Sequence, residues 1–389
     1  MEGIVRRMTR GRIRGRRIHF AGSADLKIQP SRLTYVHNLI RLLAKNILSQ
    51  GGGLIVTVGS EPLLEDEPNM PLIFDWTLLE ALDECQNSGM VNWPKAQGLP
   101  VVAVGLPKWR DKVPENRKSL WKKVISSRNV ELVQIRSGLS VGGVLREQQA
   151  ALGDILVAIG GGPGVEHLAE LYTSNRKPVI PLDLPLKGTK QGAAERLSTQ
   201  AMETPQRFFE YDSAEEATAA YSMLSLKDQL PDIKEFNRRF FDFLSHLPRP
   251  RAFFVRLLNR KLPNFDAVEK FFRNVVDPLV RDAGYERFEM GANASREPFL
   301  NVEIFQTLHY SSLVIADLTD LRPNCFMELG YALGLSKKVI VTAQEDTKLP
   351  FDSASIPCHF WSQKLVDSER KTDFEEFMKK NINRRPLVS

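Results

Sequence analysis

The chain has 389 residues, 42% of them hydrophobic and 26% charged, with a formal net charge of +6. That length accommodates two or three domains with ample cores, and the balance excludes a disordered or fibrous chain. No apolar run reaches the ~20 residues of a membrane helix, no apolar stretch follows Met1, and three isolated cysteines (Cys85, Cys325, Cys358) suggest neither a disulfide framework nor a zinc site, so a cytoplasmic protein without membrane contact or bound metal is expected.

The positive charge is unevenly placed. Seven arginines fall between Arg6 and Arg17, so residues 1–16 are expected to form a basic N-terminal arm. Its plain reading is a solvated leader; the alternative is contact with nucleic acid or another anion.

After the arm, Arg17 to Ala21 reads as a strand running into Gly22-Ser23-Ala24. A helix from Ser31 to Gln50 follows, with Leu39, Leu42, Leu43 and Ile47 at helical spacing. Gly51-Gly52-Gly53 stops it, and Leu54 to Val58 is a second buried strand ending in Gly59-Ser60. Strand, small-residue turn, helix, glycine and strand make a right-handed βαβ unit, whose turns offer backbone N–H groups to phosphates. A helix near Trp76 to Asn87, a strand at Pro100 to Val104, a basic loop and helix at Asp111 to Lys123 and a strand at Val130 to Ile135 come next. Arg146 to Leu152 is helical, and Asp154 to Ile159 is the fifth strand, feeding Gly160-Gly161-Gly162-Pro163-Gly164-Val165-Glu166 and the helix His167 to Thr173. Arg176 to Leu182 closes the sheet.

The segment GDILVAIGGGPGVEHLAEL, with the turn at Gly22 and the segment GGGLIVTVGS, resembles the nucleotide-binding core of the SLOG superfamily (LOG/DprA-like), over roughly Arg17 to Thr204. Its phosphoribohydrolases carry G-G-x-G-T-x-x-E. Here Val165 stands at the threonine position and Leu168 at the glutamate position, while Arg146 matches an arginine that precedes the glycine loop. The resemblance therefore implies a nucleotide sensor over 17–204 that keeps the phosphate cradle and lacks the aligned carboxylate. Gly22, Ser23, Gly59, Ser60, Arg146, Gly161, Gly162, Gly164 and Glu166 are its expected ligand-binding residues, with Glu166 or Glu170 as substitutes for the missing acid. The alternative is that the glycines only make tight turns.

Residues 205–248 are charged and helical in pattern (Ala214 to Leu224, Ile233 to Leu247), and LPRPRA marks a domain boundary, so a helical connector is expected there. From 249 to 389 strands at Ala252 to Leu258, Tyr285 to Glu289, Ser312 to Ala316, Lys338 to Ala343 and Phe360-Trp361 alternate with helices at Phe265 to Gly284, Phe299 to Tyr310 and around Glu328. The expected fold class is therefore α/β: two Rossmann-like or flavodoxin-like domains with parallel sheets, joined by the connector.

In VIADLTDLRPNCFMELGYALG a buried strand ends in Asp317, turns through Arg322, Pro323 and Asn324, and enters a helix bearing Glu328. The pattern Ala316-Asp317-Leu318-Thr319, Pro323-Asn324 and Glu328-Leu329-Gly330-Tyr331-Ala332 resembles the nucleoside 2-deoxyribosyltransferase-like family, flavodoxin-like relatives of TIR domains, over roughly Arg251 to Trp361. In that family the glutamate attacks or stabilises the anomeric carbon of an N-glycosidic bond, because the departing base leaves positive charge on the sugar. Glu328 takes that role here by resemblance; its plain alternative is an exposed glutamate favoured by the helix dipole. Asp317 holds sugar hydroxyls or caps the turn, and Asn324 binds hydroxyl or phosphate or caps the helix. Glu303 matches an acid that aids base protonation. The transferases carry an aspartate six residues before their glutamate, where this chain has Arg322, a ligand for a phosphate-bearing substrate instead of a free deoxynucleoside.

A SLOG-like sensor fused to such a domain resembles bacterial antiphage effectors. The resemblance implies a homo-oligomeric N-glycosidase needing no cofactor, which hydrolyses NAD+ or a (deoxy)nucleotide when a nucleotide-derived activator binds the first domain. A non-enzymatic nucleotide sensor and a nucleotide-salvage deoxyribosyltransferase are the alternatives.

Overall fold

The computed structural model describes residues 12–65, 67–135, 141–184, 186, 192–210, 214–225, 230–288, 300–350 and 356–384. The chain divides into two units: residues 1–93 with 99–248, and residues 94–98 with 249–389.

The first unit runs β1 (Arg17–Ser23), α1 (Pro30–Ser49), β2 (Gly53–Val58), a hairpin of β3 (Leu63–Leu64) and β4 (Glu67–Pro71), α2 (Asp75–Asn87), β5 (Val101–Gly105), α3 (Glu115–Ser126), β6 (Val130–Gln134), α4 (Val141–Leu152), β7 (Ile155–Gly160), α5 (Pro163–Ser174), β8 (Val179–Leu182), α6 (Ala193–Glu203), α7 (Ala214–Ser222) and α8 (Ile233–His246). Six strands form one parallel sheet in the order β6-β5-β2-β1-β7-β8. Side chains alternate across it: Leu54 and Val56 enter the large core with α1 and α2, and Ile55 joins Val102, Val104 and Ile135 on the other face against Val144 and Leu145 of α4. Strand order reverses between β1 and β7, which places the topological switch point at Ser23 and Gly160.

The expected connector is part of this unit. Phe236, Phe240 and Phe243 of α8 are fully buried in its core, with Phe243 against Phe209 at 5.1 Å and Tyr221 at 5.5 Å. Tyr35 donates to the Pro231 carbonyl at 2.8 Å and Asn46 to Asn237 at 2.9 Å, tying α1 to α8. Burying each such phenylalanine contributes about 1.5–3 kcal/mol, so this segment is structural core. The described part of the basic arm is likewise folded in. Arg12 donates to the Leu247 carbonyl at 3.0 Å, and the buried Arg17 lies 5.2 Å from the Trp93 ring and donates to the Leu99 carbonyl at 2.8 Å. A solvated leader is therefore the wrong reading for Arg12 to Arg17; Arg6, Arg7 and Arg10 lie outside the described residues.

The second unit contains β9 (Arg251–Val255), α9 (Phe265–Phe271), a π turn (Phe272–Val276), α10 (Asp277–Asp282), β10 (Glu286–Phe288), α11 (Leu300–Tyr310), β11 (Leu313–Asp317), α12 (Pro323–Gly334), β12 (Lys338–Gln344), β13 (Cys358–Trp361) and α13 (Asp367–Asn381). The helix expected over 265–284 runs without a break from Phe265 to Asp282, and it widens into one π turn just before Pro278, which brings no N–H to the ladder. Five parallel strands lie in the order β10-β9-β11-β12-β13, the flavodoxin-like arrangement. In β11, Leu313 and Ile315 face α9, α10 and α13, whereas Val314 and Ala316 face α11 and α12. Residues 94–98 belong to this unit as well: Ala96 is buried in its core, Gln97 donates to the Ala283 carbonyl at 3.0 Å, and Asn383 donates to the Gln97 carbonyl at 2.8 Å.

Candidate functional site

In the first unit the ends of β1 and β7 are stitched together by glycines. A Cβ on Gly22 (φ 141°) would lie 1.7 Å from the Ile159 carbonyl oxygen, and one on Gly160 (φ 56°) 2.4 Å from that of Ser23. Gly161 (φ 70°) donates its N–H to the Ser23 carbonyl at 2.9 Å. Any other residue at Gly22 or Gly160 would drive β1 and β7 apart. Gly162 is different: it caps α5 with its Cβ position open. Beside this turn lies a cavity of about 200 Å3 whose lining includes Ser23, Asp25, Gly160, Gly161, Gly192 and Glu195.

Arg146 of α4 is brought to the same place. Its Nε donates to His167 Nδ1 at 2.8 Å, and a Cβ on Gly164 would stand 3.5 Å from its Nη1, so the guanidinium lies over the first turn of α5. A cation above a helix N-terminus with an open glycine cap is suited to a phosphate or other anion. Gly59 and Ser60 follow β2, at the same end of the sheet. Glu166 is placed elsewhere: its carboxylate pairs with Arg196 at 2.7 Å and lines a separate groove of about 190 Å3 with Glu170 and Arg207. Asp75, which the sequence did not single out, receives the Thr57 N–H at 2.6 Å where α2 starts beside the end of β2, and burial raises its pKa to about 6.

In the second unit Asp317 is almost wholly buried at the end of β11. Its carboxylate accepts from the Thr319 N–H at 3.1 Å, the Thr342 hydroxyl at 2.8 Å and the Trp361 indole at 3.0 Å. Burial raises its pKa in spite of these bonds. Of its two sequence readings, this geometry is that of the turn cap; it leaves no open face for sugar hydroxyls.

Helix α12 buries Cys325, Leu329 and Ala332 in one stripe, and Glu328 flanks that stripe half-buried in the second turn. Burial pushes its pKa up to about 7. Burial also raises the Cys325 thiol to about 12, with the carboxylates of Glu328 and Asp317 adding to the shift, so this thiol is no nucleophile at neutral pH. Arg322 occupies the N-cap position with Pro323 after it, and Asn324 is exposed one residue further on. Helix capping by Asn324 is therefore excluded. Glu303 of α11 is half-buried with Oε2 enclosed and unpartnered among the described residues, and Phe305 packs at 4.7 Å on Tyr331 to hold α11 against α12. The structure thus gives α11 and α12 one partly buried carboxylate each, while Asp317 supports the sheet beneath them.

Residues 13–241 match the family described as ATP nucleosidase Cap17-like, N-terminal. The chain belongs to this family. Two curated relatives, the ATP nucleosidases Cap17 of Escherichia coli strain KTE188 and of Escherichia coli, are each 30% identical over 169 residues, which is 43% of this chain and 32% of theirs. The chain thus spans about a third of the length of the curated relatives it matches. The family match covers the six-stranded sheet, α7 and most of α8, and ends before Arg249. DNA processing protein A from Helicobacter pylori, solved in a study of single-stranded DNA binding, aligns at 12% identity and a TM-score of 0.32, covering 55% of this chain and 84% of that one. The structural-genomics target TM1055 aligns at 15% identity and a TM-score of 0.27, covering 47% and 81%. No helix among the described residues is long and apolar enough to cross a membrane.

Proposed function

We propose that the chain is a bacterial antiphage effector in which a nucleotide-derived signal, bound where β1 meets β7, switches on hydrolysis of an N-glycosidic bond by the second unit. ATP, NAD+ or another (deoxy)nucleotide is the substrate, and water takes the place of the base, giving free base and sugar phosphate. Membership of a family named for an ATP nucleosidase supports the nucleotide chemistry. The observation that carries the catalytic assignment is Glu328, a half-buried carboxylate on the helix after β11 whose pKa is raised to about 7. Such a group is poised to stabilise or attack an oxocarbenium-like sugar. Glu303 is the second acid, Arg322 and Asn324 are phosphate or hydroxyl ligands, and Asp317 is a positioning residue. Oligomerisation is part of the proposed switch.

The test is chromatography of ATP, NAD+ and deoxynucleotides after incubation with the purified chain, with and without extract of phage-infected cells. Extract-dependent release of free base, lost in Glu328→Gln, is the expected result. A new nucleoside in place of free base would mean transfer, and tight binding without turnover would mean a sensor.

A further inference from the structure

Between Lys108 and Arg128 the chain carries eight lysines and arginines against two acids, Asp111 and Glu115, a surplus equal to the formal +6 of all 389 residues. The segment is a short helical turn (Trp109–Lys112) after β5, followed by α3 and the entry to β6. Three of its cations are engaged: Arg117 is held by Glu61 and Glu80, Lys123 pairs with Asp83 of α2 at 2.6 Å, and Lys118 pairs with Glu115 at 2.6 Å. The other five, Lys108, Arg110, Lys112, Lys122 and Arg128, are exposed, and no carboxylate among the described residues pairs with them. Val124 turns into the core, while Ser119, Lys122 and Ser126 succeed one another on the solvent face of α3. Residues three and four apart on a helix stand about 5–6 Å from each other, so these three form one row of donors. Two of the five cations sit where the backbone disfavours them. Lys108 (φ 57°) precedes the turn and Arg128 (φ 58°) follows α3, both in the left-handed region where glycine is the unstrained choice. A cation placed at both ends of the segment in spite of that strain points to use of its charge.

We propose that this face binds the sugar–phosphate backbone of duplex DNA without regard to sequence. Phosphates call for cations and neutral donors in a row and for nothing apolar. A protein partner or an anionic membrane would each ask for an apolar anchor beside the charge. None of the large hydrophobic side chains exposed among the described residues lies between Lys108 and Arg128. Single strands are gripped by bases stacking on open aromatic rings, whereas here Trp109 is buried and Trp121 packs edge-on against it at 5.2 Å. Duplex RNA is read through its 2′-hydroxyls, which call for acceptors, and the unpaired charges of this face are all donors. The surface uses none of the arginines between Arg6 and Arg17 and stands independently of the N-glycosidase reading.

Fluorescence anisotropy of the full chain with a labelled DNA duplex of mixed sequence, repeated over a series of salt concentrations, tests the face. Contacts from the five unpaired cations predict that log affinity falls with log salt at a slope of about −4.5. Lys112→Gln with Lys122→Gln should reduce that slope by about 2 and weaken binding at least about tenfold, at an unchanged thermal midpoint. Lys112→Arg with Lys122→Arg should keep both slope and affinity. Arg128→Gly relieves the torsion, so the midpoint should hold or rise while the slope still drops by about 1. Changing Arg6, Arg7 and Arg10 together to glutamine should leave binding as it is in the parent. No binding of the duplex by the parent, a slope unmoved by the Lys112 and Lys122 pair, or loss of binding in the Arg6, Arg7 and Arg10 variant alone would overturn the proposal. So would tighter binding to single-stranded DNA, duplex RNA, polyglutamate or phosphatidylserine vesicles.

Discussion

The Trp361 indole on β13 donates to Asp317 Oδ2 at 3.0 Å, and both residues are almost wholly buried. Thr342 on the strand between them donates to the same oxygen. One carboxylate therefore ties three adjacent strands together at their carboxyl ends. Asp317→Ala would strip three donors of their acceptor and is expected to cost about 3–5 kcal/mol, and Trp361→Phe about 1.5–3 kcal/mol, in urea unfolding of the second unit. If Asp317 acted on substrate alone, Asp317→Ala would abolish turnover while leaving the unfolding midpoint in place.

Glu328 sets the pH behaviour of the proposed reaction. As the group that faces positive charge on the sugar it must be ionised, so activity should rise with pH along a limb centred near its pKa of about 7. The stability sign is opposite. A carboxyl raised in the folded state holds its proton above the unfolded value near 4.5, so it stabilises at low pH and that contribution fades as pH rises through about 7. Allowing for partial exposure, the loss is on the order of 1–2 kcal/mol. Glu328→Gln should remove both the limb and this loss; a rate profile falling across pH 7 would assign Glu328 as a general acid instead.

The glycines at the β1–β7 junction separate folding from binding. Gly22→Ala meets the Ile159 carbonyl at 1.7 Å and should cost at least about 3 kcal/mol, enough to compromise the first unit. Gly162→Ala meets nothing and should cost less than about 1 kcal/mol, yet its methyl stands where an anion would approach the start of α5. A thermal scan beside nucleotide titration should show Gly162→Ala near the parent in stability and about tenfold weaker in binding.

His19 gives the first unit an acid-sensitive core. It is buried on β1 with Tyr172 Oη 3.3 Å from its Nδ1, and burial lowers its pKa to about 3. The unfolded chain takes up a proton below about 6.5 that the folded chain refuses, so stability falls as pH drops from 6.5 towards 3. The slope from this residue approaches about 1.4 kcal/mol per pH unit at most. Asp75 works in the other direction between about 4 and 6. Urea midpoints against pH should lose the His19 part of the slope in His19→Leu.

The strands were legible because a buried parallel strand is a short apolar run between turn residues, as LIVTV and LVIAD are. The glycine turns were legible because few other residues tolerate their torsion angles. What escaped was set by distant partners. Asp317 looked equally able to hold a sugar because Trp361 lies 44 residues away. Asp75 offered no motif, since its raised pKa comes from burial that only the folded chain creates. The segment 205–248 read as a connector from its charge, although Phe236, Phe240 and Phe243 already recur at helical spacing and mark a core-facing stripe. Asn324 resembled a cap, but Arg322 takes the position because Pro323 is pre-set for the first turn.

Five residues of the first half, Pro94 to Gly98, are part of the second unit, where Ala96 fills core and Gln97 bonds Ala283 and Asn383. Exchange of modules between genes at residue 248 would therefore deliver an acceptor protein an incomplete piece. Whatever new head the second unit acquired would need to bring its own plug for the space of Ala96, or the hole would have to be repacked. The domain boundary that LPRPRA marks in the sequence is thus a poor crossover point, because the second unit's core also draws on Ala96.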